Sequence, residues 1–152
     1  MSFFLVLQKQ LLQNYVVFTG FFLLSLIFIV PVYAMTELER VSLSDPGLEN
    51  AFGAPIVENV NVYHQIQISA DIQNNQKKSQ TVVYLVQVKD DKGFVVSLGW
   101  ISGQLTSLQK LTPSLSWVPE REGEFFAEIY VWEGLKNQNA LDDFSTIQIH
   151  VS

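Results

Sequence analysis

His64 and His150 are the only histidines in the chain, and an imidazole can hold a metal ion or move a proton near neutral pH. Two are too few for either centre that histidines usually build. Zinc takes three or four nitrogen, thiolate or carboxylate ligands, and blue copper needs a cysteine beside its two histidines. The chain has no cysteine, which excludes thiolate metal sites, thioether haem attachment and thiol catalysis together. No third ligand accompanies the histidines, so both read as ordinary strand residues, and no metal or cofactor is expected.

Carboxylates and aromatics are the other residues with chemistry to offer. Asp90-Asp91, Asp142-Asp143 and the cluster Glu120, Glu122, Glu124 concentrate acid at turns. Calcium needs six to eight convergent oxygen ligands, and no EF-hand spacing is present. Paired carboxylates also serve glycoside hydrolysis, but nothing in the pattern places a pair in a cleft, and no nucleophile, base and orienting group form a set. The acidic residues therefore read as solvated turns and the protein as a non-enzyme. Trp100, Trp117 and Trp132 could form an aromatic platform for carbohydrate or protein. Trp100 and Trp117 fall in apolar registers that predict core positions, whereas Trp132 shares a strand face with Glu128 and Tyr130 and opens the loop Glu133–Asp143. The candidate binding surface is accordingly Tyr130, Trp132, Leu135, Asn137 and Asn139, since loops on a rigid scaffold carry recognition.

These residues need strands to hold them, and period two dominates from Ala54 onward. In "VNVYHQIQISADI", Val60, Val62, His64, Ile66, Ile68, Ala70 and Ile72 share one face, which predicts a long half-buried strand. "TVVYLVQVK" is apolar on both faces at its start, as a central strand covered on both sides would be. Asp90–Gly93, "DDKG", predicts a hairpin connection, and the return places Phe94, Val96, Leu98 and Trp100 in one stripe. Ser114–Val118, Phe125–Glu133 and a last strand with Ile147, Ile149 and Val151 inward follow. With Ala54–Val57 as a short first strand the count is seven, which predicts an immunoglobulin-like antiparallel β-sandwich over residues 54–152, with a closed barrel as the alternative. Residues 35–53 read as a polar linker containing an Asp45-Pro46-Gly47 turn.

Ahead of the linker, Val16–Val30 carries no charge and leads into "PVYA". Small residues Val32 and Ala34 suit signal-peptide cleavage after Ala34, and Val16–Ala34 is also close to the roughly 20 residues that span a bilayer. Residues 1–34 are thus a signal peptide or a membrane anchor. Lys9 before the run and Glu37, Glu39 and Asp45 after it predict an extracytoplasmic domain in either case. Beyond Ala34, eight basic residues stand against fifteen acidic ones, a net charge of −7. This disfavours nucleic acid and anionic lipid as partners. No Asn-x-Ser/Thr sequon occurs, so N-glycosylation is not expected.

"VVYLVQVKDDKGFVVSLGWISGQL", "LTPSLSWVPEREGEFFAEIYVWE" and "FSTIQIHVS" resemble small exported immunoglobulin-like domains of archaea, related in pattern to the fibronectin-like and CARDB-type group. The resemblance spans Asn59–Ser152, and its clearest element is Trp117, Pro119, Gly123 and Phe125, spaced W-x-P-x-x-x-G-x-aromatic. It implies an adhesion, spacer or ligand-presenting role. Phe125 departs from the tyrosine often found there, which removes the hydroxyl of a tyrosine corner and leaves that turn to packing and Gly123. Together these readings predict an exported or surface-tethered interaction or structural module with a protein or cell-surface partner. The alternative is a membrane-anchored accessory subunit of a larger complex, and a small hydrolase stands third.

Overall fold

Alternating apolar residues pleat most of this chain into strands, and the turns between them are set by a few residues with special backbone angles. The computed structural model describes residue 8 and residues 35–57 and 59–152. The expected signal peptide or anchor, residues 16–34, lies outside the described residues. After a single 3₁₀ turn at Glu37–Glu39 come eight strands: β1 (Val41–Asn50), β2 (Ile66–Asn74), β3 (Gln80–Asp90), β4 (Val95–Leu105), β5 (Lys110–Leu111), β6 (Ser114–Trp117), β7 (Gly123–Trp132) and β8 (Ser145–Val151). All ladders are antiparallel. One sheet places β2 between β1 and the short β5 and β6, and the other runs β4-β3-β7-β8. The domain is an immunoglobulin-like β-sandwich.

The core lies between the sheets. Ile66, Ile68, Ala70 and Ile72 of β2 face Val82, Tyr84, Val86 and Val88 of β3 and Phe125, Ala127, Ile129 and Val131 of β7, with Ile149 and Val151 of β8 closing one side. These are the inward positions that alternation predicts. Trp117 is buried among them and meets Phe125 edge-on, ring centres 5.1 Å apart. Gly123 takes φ +138, a conformation side chains resist, so the Trp-Pro-Gly-Phe turn is held by packing and glycine as expected. The missing corner hydroxyl has a counterpart elsewhere. Tyr84 Oη, deep in the core, donates to the Ile68 carbonyl of the opposite sheet at 3.2 Å and ties the two sheets together.

Four expectations need correction. The stretch read as a linker contains β1, whose "turn" Asp45-Pro46-Gly47 is a bulge in the ladder with β2, with Asp45 at φ +51. Proline has no N–H to give, which an edge strand tolerates. Ala54–Val57 is not a strand; Pro55 makes one isolated bridge to Glu49. The strand predicted from Val60 begins at Ile66, because Tyr63 at φ +63 turns the chain and leaves His64 exposed, not on the buried face.

The fourth concerns Trp100. Register pairs it with Leu85 of β3, and Leu85 with Tyr130 of β7, while the core-facing Val86 pairs with Gly99 and Ile129. Trp100 therefore stands on the outer face of its sheet and is 50% exposed. Three of the inward positions of β4, Ser97, Gly99 and Gly103, are small, and Ile101 and Leu105 are the larger inward residues. A Cβ at Gly99 would touch Leu115 of the facing sheet at 3.5 Å, an ordinary packing contact, so Gly99 faces the other sheet and the stripe of Leu98 and Trp100 faces outward.

Candidate functional site

β3 is apolar on both faces, so its outward residues Val83 and Leu85 are buried even though they point away from the core. Their neighbours cover them. Across the ladders, Leu85 lies between Trp100 and Tyr130, Val83 between Ser102 and Trp132, and Gln87 between Leu98 and Glu128. The outer face of the β4-β3-β7-β8 sheet thus carries a second apolar layer topped by aromatics. Tyr130 sits 5.8 Å from Trp132 and stacks on Phe144 at 5.3 Å, ring centre to ring centre. Leu98 is 54% exposed and Phe144 57%. A contiguous aromatic surface of this kind on a small domain marks an interaction site more often than chance exposure does.

A polar cluster borders it. Glu128 accepts hydrogen bonds from Gln87 Nε2 at 2.7 Å, Lys89 Nζ at 2.8 Å and Tyr130 Oη at 2.7 Å. Burial alone would raise the Glu128 carboxyl, but the bonds from Lys89, Tyr130 and Gln87 and the Lys89 charge outweigh it and hold it below the usual carboxylate range. The same partnership acts on the phenol. Burial first, and then the bond and charge of Glu128, push Tyr130 up to about 12. Tyr130 stays neutral at any physiological pH, and its hydroxyl, which donates to Glu128, can still accept a hydrogen bond.

The loop after β7 overhangs the other end of the face. Glu133 N–H donates to the Asn139 carbonyl at 2.9 Å, and Leu141 N–H to the Val131 carbonyl at 2.9 Å, so the loop returns along β7 and buries Leu141. Glu133 organises it, accepting from Asn137 Nδ2 at 2.6 Å, Asn139 Nδ2 at 3.4 Å and Arg40 Nη1 at 3.3 Å. Leu135, Asn137 and Lys136 overhang a groove of about 500 Å³ whose floor includes Thr81, Val83 and Ser102.

Of the sequence-predicted surface, Tyr130 and Trp132 thus lie on the outer face, Leu135 and Asn137 line the groove, and Asn139 sits at the loop stem, its amide directed to Glu133. Alternation assigned Leu98 and Trp100 to a core stripe and overlooked Phe144. The signal that could have found them is the double-sided apolarity of β3, which requires neighbours to shield its outward side chains.

Three of the acidic candidates are occupied structurally. Asp90 accepts from the Lys92 and Phe94 amides at 3.0 and 2.9 Å and from Arg121 Nη2 at 2.9 Å, closing the β3-β4 hairpin. Asp142 accepts from the Leu43 amide at 2.5 Å, and Glu124 pairs with His150. Among the described residues no group of three or more His, Asp or Glu is placed to hold a metal ion.

No protein-family model and no curated protein matches this chain. Solved structures share its fold. The C-terminal domain of Wzt superposes with a TM-score of 0.60 at 12% identity, over 81% of this chain and 80% of that one. The CARDB domain of a Pyrococcus furiosus protein, solved in complex with di-metal ions, gives 0.52 at 13% identity over 78% and 97%. A β-glucosidase of Listeria innocua bound to glucose gives 0.52 at 12% identity, but the match spans 74% of this chain and only 16% of the enzyme. Likenesses at these identities establish the immunoglobulin-like sandwich and leave function to the residues.

Proposed function

We propose that this protein is a non-enzymatic interaction module, exported or tethered at the cell surface, which binds a protein or other surface component through the outer face of its β4-β3-β7-β8 sheet. The observation that carries the reading is the aromatic layer over buried Leu85 and Val83, in which Trp100 and Phe144 are half-exposed and Tyr130 and Trp132 partly buried. Rigid aromatics lose little conformational entropy on binding and dominate interface energetics. Three of the acidic side chains that could serve a hydrolase, Asp90, Asp142 and Glu124, are engaged in structural contacts. Export rests on the uncharged run Val16–Val30 and the small residues before Met35, and the archaeal resemblance of Asn59–Ser152 points the same way.

An impermeant amine reagent applied to intact cells tests the location. Lys77, Lys78 and Lys136 are exposed and should react before lysis. Labelling that appears only after lysis would remove the surface assignment. Co-purification of stoichiometric partner chains in mild detergent would favour the accessory-subunit alternative.

A further inference from the structure

Strand edges offer unpaired N–H and C=O groups, and proteins blunt them with charges, prolines, bulges or short length. Three of the four sheet edges here are blunted. β1 carries the Asp45-Pro46 bulge. β5 and β6 span two and four residues and are interrupted by Pro113. The end of β8 is covered by Val60 and Val62, with Val60 N–H donating to the His150 carbonyl at 3.0 Å and Val62 N–H to Ser152 at 3.2 Å. β4 is different: eleven residues, "VVSLGWISGQL", without a charge or proline, and with Val95, Val96, Leu98, Trp100 and Ile101 all 43% exposed or more. Its one irregularity, at Val96, lies at the end of the strand.

We infer that β4 pairs antiparallel with β4 of a second copy, joining two four-stranded sheets into one of eight with a two-fold axis at Trp100. The sequence is self-complementary about that point. On the outer face Trp100 meets its own equivalent and Leu98 lies opposite Ser102; on the inner face Ile101 lies opposite Gly99 and Ser97 opposite Gly103, so the large Leu98 and Ile101 each face a small residue. Two such strands with half-exposed Leu98, Trp100 and Ile101 would bury on the order of 1,000 Å² in total, the low end for a specific interface, as weak self-association would have. The dimer would align both outer faces on one surface, and it does not depend on what those faces bind.

The test uses the full chain in mild detergent. The chain has no cysteine, so Gln104→Cys supplies a single spin-label site at an exposed position of β4. Residues 104 of the two copies would lie eight strand positions apart, which gives ~27 Å at the usual rise per residue. A concentration-dependent distance near that value is expected, together with its loss when Trp100→Lys or Ile101→Lys is combined with the label, while the melting temperature of each variant reports that it remains folded. Absence of any pair distance up to several hundred micromolar would overturn the inference. So would a short distance, which means parallel pairing, or a distance unchanged by folded lysine variants, which means association elsewhere in the chain. If both lysine variants unfold, the distance measured on Gln104→Cys alone still decides.

Discussion

Truncating Trp117 and Trp100 to alanine in separate variants distinguishes the core tryptophan from the surface one. A tryptophan offers up to about 250 Å² of surface, and at 8% exposure Trp117 has withdrawn nearly all of it from water. Replacing the indole by a methyl group removes roughly 4 kcal/mol of burial, and losing the edge contact with Phe125 adds about 1 kcal/mol. Trp100 is 50% exposed on an open face. Its removal leaves no enclosed cavity and should cost about 1–2 kcal/mol by the same area rule. In urea, with the slope usual for a domain of this size, the midpoint should fall by about 3 M for Trp117→Ala and about 1 M or less for Trp100→Ala. Far-UV circular dichroism measures both without relying on tryptophan fluorescence. Equal losses, or a larger one at Trp100, would refute the register that places Trp100 outside.

Tyr84→Phe should cost about 1 kcal/mol in the same assay, because it deletes the hydrogen bond between sheets and little else; an unchanged midpoint would mean the bond contributes nothing. Asn74 is wholly buried and donates to the Lys78 and Thr106 carbonyls at 2.7 and 2.8 Å while accepting from the Gln76 amide at 3.0 Å. Asn74→Ala strands those groups and should cost about 2–3 kcal/mol, whereas a loss below about 0.5 kcal/mol would show that water replaces the side chain. Acid should destabilise the fold through four carboxyls held low in the folded state: Asp71 by hydrogen bonds from Lys110 and Thr112, Asp90 by the Phe94 and Lys92 amides and nearby Arg121 and Lys92 against the opposing effect of burial, Glu124 by His150 and Gln148, and Glu128 by Lys89, Tyr130 and Gln87, again against burial. Because their folded values lie below their unfolded ones, this stability is present above about pH 4 and lost as pH falls through the folded values. A melting temperature that holds between pH 7 and 5 and then drops below pH 4 is expected, and one that rises in acid would contradict the ion pairing.

Strand interiors were legible wherever alternation met a single buried face. Phe125, Ala127, Ile129 and Val131 point inward and Phe126, Glu128, Tyr130 and Trp132 outward, as their order predicts. Alternation states which residues share a face but not which face is the core. In β4 both faces carry apolar or small residues, and the choice is seen only in the pairing with β3, which sets Gly99 beside core-facing Val86 and toward Leu115 of a strand distant in sequence. β1 was hidden for a different reason. An edge strand buries little, so its polar residues and the Asp45-Pro46-Gly47 bulge resemble a linker until the pairing with β2 is seen. The candidate face was half legible, since Tyr130 and Trp132 stood out by their place before the loop, while Trp100, Leu98 and Phe144 joined them only through cross-strand register.

The most direct test compares the two faces of the sandwich. Labelled protein would be titrated onto intact cells of its own source, alongside a Tyr130→Ala/Trp132→Ala variant and a control, Gln67→Ala/Ser116→Ala, altered on the outer face of the other sheet. The account predicts saturable binding by wild type and control, weakened by about tenfold or more in the aromatic variant, as loss of hot-spot aromatics would cause. Equal binding by all three folded proteins, or loss confined to the control, would contradict the assignment of the β4-β3-β7-β8 face as the working surface.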